Sequence, residues 1–394
     1  MSDLKGKVAI VGIGEVPTGR FPETAAIYHA IESAKLAIKD AGIDKNEIDY
    51  VMPTAALFSL PFNTELVTCR IVEELGLTNC KKNCQIFAGG SSSSCGLQLA
   101  GTLITSGAAK YVLYVHADKL GTGVSAQGGI DLFSTAGISA EWEVPYGQHY
   151  SSIAALTTAR YNYETGCTDE QMASVCVSNR KWAEMNPNAF FRKPLTIEEV
   201  MASKMLSTPL RAKMSNMLFD GGSAFIVTSA ERAKDLPNKP VYVLGEGGFV
   251  THFVFSQEPD LTRFGWARAA KEAFEEAGLS PQDIDVAEIY DSYPVYQIIA
   301  FEELGFCERG EAGEIFMRGD TWPGGRIPCT TDGGMLSKGH IGAGGGVSLL
   351  VEAARQLMGK AGKRQVDGAR FTVETATGGT YMDSQVTVLG TEIP

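Results

Sequence analysis

The residues Gln85–Gly107, QIFAGGSSSSCGLQLAGTLITSG, have the make-up of a place where an enzyme mounts a nucleophile. An apolar run ends in Ala-Gly-Gly, four serines follow, and a helix pattern of small residues begins. A strand delivering the chain into a tight turn at a helix N-terminus presents one side chain and several unpaired N–H groups to a ligand. Here the turn offers Gly90 and no thiol. Cys95, five residues on, reads as a small core thiol of the helix, and Cys84 as an inert thiol of the preceding strand. Ser91 and Ser92 read as polar donors at the helix start, since no dedicated base stands beside them to make either a nucleophile.

The elements that must position this turn are duplicated. Glu32–Val51, ESAKLAIKDAGIDKNEIDYV, superposes without a gap on Arg268–Ala287, RAAKEAFEEAGLSPQDIDVA, at an offset of 236. Each copy predicts an amphipathic helix stopped by glycine, a short loop and an apolar strand. The first copy leads on to the Gly90 turn and the strand KYVLYVHA. The second leads to TDGGMLSKGHIGAGGGVSLLVEAARQLMG and then ARFTVETATGG. Two such halves packed about a pseudo-twofold axis bring Gly90–Ser94 opposite Gly339–Gly342. The expected division is residues 1–119 for the N-terminal half, 120–220 for an inserted helical cap, 221–240 for a return strand of the first half, and 241–394 for the C-terminal half. Thr168 and Thr196 stand as N-caps in the insertion. Its aromatics (Phe133, Trp142, Tyr146, Tyr150, Phe190, Phe191) suit a bulky ligand. The apolar run Cys84–Ala88 carries no charged gatekeeper, so its edge is expected to pair across a homodimer.

With 394 residues, 44% of them hydrophobic, the chain can bury a large core. A formal net charge of −12 argues against nucleic acid or an anionic membrane as partner. The N-terminal apolar run of MSDLKGKVAIVGIGEVPTGRF is too short for a membrane span, shows no signal-peptide pattern, and is followed by no dinucleotide fingerprint. Eight scattered cysteines form no C-x-x-C pair; no metal site is expected, and reduced thiols in the cytoplasm are the default reading.

Beyond these local features, RKPLTIEEVMASKMLSTPLR, FDGGSAFIVTSAERA, EIYDSYPVYQIIAFEELGFCERGEAGEIF, GGRIPCTTDGGMLSKGHIGAGG and RQVDGARFTVETATGG run in one order over nearly the whole chain. In that order the sequence resembles the thiolase superfamily, especially its sterol-carrier-protein-x-type branch. It is similar there to benzoylsuccinyl-CoA-type thiolase subunits and steroid side-chain retro-aldolases. The resemblance implies an α/β fold of two duplicated βαβαβαββ halves in five layers, αβαβα. It also implies acyl-CoA substrates with coenzyme A as co-substrate and no covalently bound cofactor, a homodimer, and a small zinc-ribbon/OB-fold companion subunit.

The departures from the family pattern define the chemistry. The resemblance puts the nucleophilic cysteine of thiolases at Gly90, and a second cysteine within TATGG, where this chain has none. The Gly-His-Pro turn survives as Gly339-His340-Ile341. Without a cysteine the covalent half of the thiolase reaction is lost, but stabilisation of a thioester enolate is not. His340 is the prime candidate to donate to the oxyanion or exchange a proton, with N–H groups at Gly90, Ser91, Ser92, Gly378 and Gly379 adding to it. Tyr290, Asp291 and Tyr293 stand on the facing loop, and Asp291 is favoured as base. Cys95 and Cys329 are the candidate thiols should one be used after all. Thiolysis of a bulky or aromatic 3-ketoacyl-CoA by direct attack of CoA ranks first. Retro-aldol cleavage of a 3-hydroxyacyl-CoA ranks second, because the steroid-type aldolases carry Tyr where this chain has His340. An acyltransferase or decarboxylase of the same fold, and a CoA-binding scaffold, follow.

Overall fold

A computed structural model describes residues 4–54, 67–125, 128, 137–381 and 383–394. Eleven strands are present among them: β1 Val8–Glu15, β2 Tyr50–Pro53, β3 Lys82–Asn83, β4 Tyr111–Lys119, β5 Met205–Ser207, β6 Leu210–Arg211, β7 Asp220–Ser229, β8 Val241–Val250, β9 Val286–Glu288, β10 Phe371–Ala376 and β11 Asp383–Gly390. Nine form one sheet in the order β3-β2-β4-β7-β1-β8-β11-β10-β9, while β5 and β6 make a small hairpin. Pairing is parallel for β3-β2, β2-β4 and β10-β9 and antiparallel elsewhere. The strand order is thus palindromic about the β1-β8 contact: β4-β7-β1 on one side answers β10-β11-β8 on the other.

Alternation along the strands sorts their side chains into two clusters. Val8 and Ile10 of β1, Val112 and Tyr114 of β4, Phe225 and Val227 of β7, and Val241 and Val243 of β8 face inward. There they meet Leu97, Ala100 and Ile104 of helix Ser92–Thr105 and Val347, Leu350 and Val351 of helix Gly345–Leu357. Ala9, Val11, Leu113, Val115, Ala224, Ile226 and Leu244 face outward, against the alanine-rich sides of helices Ala26–Ala41 and Trp266–Ala277. Two central helices, two sheet halves and two outer helices give the five layers. Leu350 and Val351 are almost wholly buried, each stabilising the central layer by about 1.5–3 kcal/mol.

The repeat is visible in atomic contacts. Gly42 and Gly278 close the two outer helices in the left-handed region, with φ of 67° and 68°. A Cβ built on Gly14 of β1 would lie 2.0 Å from the Ser33 carbonyl oxygen, and one on Gly247 of β8 would lie 1.9 Å from that of Ala269. Ser33 and Ala269 are separated by the same 236 residues as the matched segments, so each half uses a strand glycine to seat its outer helix against the sheet.

Between β4 and β7 lie helices Tyr150–Thr165, Asp169–Met185 and Ile197–Met201. Thr168 and Thr196 cap the last two, accepting from the N–H groups of Gln171 and Glu199 at 3.2 Å each. The strand expected over Cys84–Ala88 is shorter than its composition suggested. Regular pairing is confined to Lys82–Asn83, with isolated bridges from Ile86 to Thr54 and from Ala88 to Gly90, and β3 lies at the sheet edge. Two glycines and the start of helix Ser92–Thr105 turn the chain away before the ladder can extend. Among the described residues, no helix is long and apolar enough to cross a membrane.

Gly247→Ala is expected to lower stability by about 1–3 kcal/mol through overpacking at the helix–strand contact, read as a lower urea midpoint; an unchanged midpoint would mean that the contact yields freely.

Candidate active site

Three glycine-rich turns from distant parts of the chain meet at the C-terminal ends of β4, β9 and β10. They are the turn before helix Ser92–Thr105, the segment leading into helix Gly345–Leu357, and the Thr377–Gly379 turn after β10. A Cβ built on Gly90 would lie 2.4 Å from the Thr377 carbonyl oxygen and 2.5 Å from the Tyr290 hydroxyl. One on Gly346 would lie 2.2 Å from the Gly90 carbonyl oxygen. The two halves therefore do face each other as expected, but the Gly90 turn meets Gly346 more closely than Gly339–Gly342. Tyr290 is wedged between them.

Tyr290 follows β9. Its N–H donates to Thr375 Oγ1 at 2.9 Å, its ring is buried, and its hydroxyl lies 3.4 Å from Nε2 of His340. Burial first, then the nearby Tyr150 and Asp291, raises its pKa far above the ordinary phenol range, so the hydroxyl keeps its proton and acts as a donor. His340 is held in a strand-like contact with the segment before β7: its N–H donates to Met217 O at 3.0 Å, and Phe219 N–H donates back to His340 O at 2.8 Å. Burial, with His116 behind it, depresses the imidazole pKa to about 4. At neutral pH the ring is therefore uncharged.

Two residues of this centre carried no signal in the sequence. Asn216 places Oδ1 3.1 Å from Nδ1 of His340 and donates from Nδ2 to Ser292 O at 2.8 Å. His116, on β4, sits 3.1 Å through Nε2 from the Ile341 carbonyl oxygen, and burial brings its pKa to about 4 as well. A lone histidine inside KYVLYVHA looks like any strand residue. Only the fold shows that it backs the His340 turn.

The other expected site residues take different places. Asp291 is turned away from Tyr290. Its oxygens accept from Met335 N–H at 2.8 Å, Leu336 N–H at 3.1 Å and Asn179 Nδ2 at 2.7 Å. It is an anchor under the π-type turn Gly334–Lys338 that leads into His340, and burial raises its pKa to about 7. Tyr293 points to Ser151 Oγ at 3.1 Å on the inserted helix and does not reach His340. The Ser91 and Ser92 N–H groups close the turn onto Ala88 O and Gly89 O. Their hydroxyls are also engaged, Ser91 with Ala88 O and Asp383, Ser92 with Gly89 O. Gly378 N–H donates to Asp383 Oδ1 at 2.5 Å. Among the described residues, the half-buried Gly379 N–H has no intramolecular acceptor. Its turn is tied down by Thr380, which donates to Gly137 O at 3.0 Å and whose carbonyl lies 3.2 Å from His252 Nε2.

The thiols are not poised to react. Cys95 is half-buried and its pKa is pushed up to about 11 by burial and then by Asp383 and Glu246. Cys329 is wholly buried, against Gln297, and is pushed to about 12. Of the aromatics noted in the insertion, Phe133 lies outside the described residues. Trp142 and Tyr146 are largely exposed, Phe190 and Phe191 pack on Phe219, and Tyr150 lies close to Tyr290 and Tyr293.

Behind the site, Lys338 is buried with its ammonium on Glu15, Asp332 at 2.8 Å, and Ser348. Burial alone would raise the Glu15 pKa, yet Lys338 and Arg355 bring it down to about 2. Arg364 makes a two-pronged contact with Glu352 at 2.7 and 2.8 Å.

The architecture has parallels in known proteins. Residues 247–391 match the family described as Thiolase C-terminal domain-like. An acetyl-CoA acetyltransferase of Methanothermobacter thermautotrophicus is 32% identical over 374 residues, covering 95% of this chain and 96% of that one. The chain belongs to the thiolase superfamily. Within it, the protein lies in the sterol-carrier-protein-type branch. This thiolase-superfamily chain is also 30% identical to the 17-hydroxy-3-oxo-4-pregnene-20-carboxyl-CoA lyase of Mycobacterium tuberculosis, over 98% of its own length and all of the lyase. A solved Ltp2-ChsH2(DUF35) aldolase superposes with a TM-score of 0.86 at 28% identity, over 98% of each chain. The protein is an enzyme of the acyl-CoA acyltransferase and lyase group, and its site fits thiolase-type cleavage of carbon–carbon bonds.

Iodoacetamide at pH 7.5 is expected to leave Cys95 and Cys329 unmodified while labelling the exposed Cys69, because a thiol whose pKa is near 11 is thiolate in roughly one molecule per thousand or fewer. Peptide mass spectrometry reads this, and rapid labelling of Cys95 would contradict the burial described.

Proposed function

We propose that this enzyme splits the Cα–Cβ bond of a 3-hydroxyacyl-CoA by retro-aldol cleavage, releasing a shorter acyl-CoA and an aldehyde or ketone, with no acyl-enzyme. The observation that carries this reading is the Tyr290 hydroxyl, held where any side chain at Gly90 would have to begin. The volume that a thiolase gives to sulfur is occupied by a phenol. A protein thiol at position 90 would have to project from that volume, and the chain carries none there. Retro-aldol cleavage needs no such nucleophile. On this ground it moves ahead of thiolysis, and relatives named lyase and aldolase support the order.

The reaction balances without a co-reactant. The substrate hydroxyl donates to Tyr290 Oη as Tyr290 passes its own proton to the lone pair of His340 Nε2. The Cα–Cβ bond breaks, the β-carbon leaves as a carbonyl, and its electrons move into the thioester as an enolate. The Gly379 N–H, which has no intramolecular acceptor among the described residues, would donate to that oxygen. The proton held by the Tyr290–His340 pair returns to Cα. Since His340 is a weak base, it relays this proton and does not store it. Asp291 has a positioning role, holding the turn that carries His340. Coenzyme A enters as part of the substrate, and the acyl group is bulky or aromatic. We further infer a homodimer with a small companion subunit of the zinc-ribbon/OB-fold kind, working in the cytoplasm; the DUF35 partner in the name of the solved aldolase supports a companion.

Purified protein, with and without its companion, is expected to convert a branched 3-hydroxyacyl-CoA to acyl-CoA and free carbonyl when no CoA is added. Products formed only from a 3-ketoacyl-CoA plus CoA would replace this reading with thiolysis. Tyr290→Phe and His340→Ala should each lower kcat by roughly 10²–10⁴, and normal turnover in both would place the chemistry elsewhere. His340 must be neutral to accept a proton, so kcat/KM limited by it should stay level from pH 8 down to pH 5 and fall only as pH approaches about 4. An acid limb near pH 6.5 would mean that the imidazole is not desolvated.

A further inference from the structure

The Asn216 amide has its two ends distinguished by its neighbours. Ser292 O is a carbonyl and can only accept, so the group facing it at 2.8 Å is the NH₂. The Asn216 N–H also donates to the same carbonyl, at 3.2 Å, which pins the residue from both sides. The remaining end, Oδ1, has only lone pairs, and it faces Nδ1 of His340 at 3.1 Å. A ring nitrogen opposite a pure acceptor must carry the hydrogen. Nε2 is then the nitrogen with the free lone pair, and it is the one that faces the Tyr290 hydroxyl.

We propose that Asn216 is a positioning residue of this site: its amide oxygen fixes the Nδ1–H tautomer of His340, aims the Nε2 lone pair at Tyr290, and leaves the ring uncharged. The inference rests on the reading of His340 as proton acceptor given above. A carboxylate at position 216 would offer Nδ1 the same acceptor as the amide, although it has no donor for Ser292 O. Only the carboxylate would favour the imidazolium, which has no lone pair left for Tyr290. The loop after β9 supplies both ends of the arrangement, Tyr290 to Nε2 directly and Ser292 O to Nδ1 through Asn216. The Ser292 hydroxyl is in turn bonded to that of Tyr381, whose ring stacks on Tyr296 with centroids 3.4 Å apart.

The other titratable groups around the ring do not set this state. His116, from β4, adds repulsion against a charged His340, and the Gly342 backbone, which favours the charged form, offsets burial and His116 only in part. Asp118, two residues on, lies under Gly342. Asp291 is bound to the N–H groups of Met335 and Leu336. Lys338, on the same turn as His340, is held by Glu15 and Asp332 on the far side.

The test combines nitrogen-15 NMR of histidine-labelled full-length protein with kinetics. His340 is assigned by the signal lost in His340→Gln. The free protein is expected to show a neutral His340 with hydrogen on Nδ1. Asn216→Asp, of the same shape, should keep the Nδ1–H but raise the His340 titration by about 1–3 pH units and move the acid limb of kcat/KM up by the same amount. Asn216→Ala, checked for folding by circular dichroism, should show mixed tautomers and a kcat lower by about tenfold or more, with KM little changed. A hydrogen on Nε2 in the unmodified protein, or an Asn216→Asp protein whose His340 titrates at the unmodified pH, overturns the proposal. The NMR readings need no substrate. If they come out as expected while His340→Gln keeps full activity, the catalytic reading fails and the tautomer assignment stands.

Discussion

A hydroxyl held against a bare backbone is the contact around which this site is built. Tyr290 reaches the carbonyl turn at Gly90 because no side chain stands there, and the tripeptide Tyr290-Asp291-Ser292 keeps it in place by sending each residue to a different element. Tyr290 N–H goes to β10 through Thr375, Asp291 to the turn at 334–338, and Ser292 O to Asn216 before β7. A shift of the loop by a fraction of an ångström would break bonds to three separate parts of the molecule. That over-determination lets a flexible-looking loop act as a rigid mount.

The support behind the turn is electrostatic. Glu15, Asp332, Glu352 and Glu288 bring four carboxyl groups into a buried cluster, and Lys338, Arg355 and Arg364 bring three cations. Burial and the neighbouring Asp332 and Glu352 hold Glu288 well above the ordinary carboxyl range. Removing one partner from such a cluster leaves an unpaired charge in a dry interior, which typically costs about 3–5 kcal/mol. The cluster reaches β1, the segment around Asp332 and helix Gly345–Leu357, and so ties the first half of the fold to the His340 turn.

Much of the fold was legible because it depends on short-range pattern. The paired Ala-Gly helix ends, the outer alanine faces and the apolar strands follow from periodicity, and the repeat offset is reproduced by the seating of helices on Gly14 and Gly247. The site was legible only in part. The Gly90 turn stood out by residue type, while Tyr290 and His340 became candidates only through the family resemblance. Which member of the Tyr-Asp-Ser-Tyr run faces Gly90 and His340 depends on the direction of the chain leaving β9, and Asp291 turns out to face the supporting turn. Asn216 and His116 act on the His340 turn across 124 and 225 residues of sequence, a distance that no local pattern spans. The serine and glycine N–H groups looked available as donors because a helix start usually leaves them so, yet here the tight turn satisfies most of them internally.

The palindromic strand order has a corollary for the site. Gly90, His116 and Asn216 belong to one side of the palindrome, and Tyr290, His340 and Gly379 to the other. Neither side holds a vacant turn, a phenol and an imidazole together. The candidate site is therefore composite: one side of the palindrome leaves a space at Gly90, and the other lays the Tyr290 hydroxyl against it.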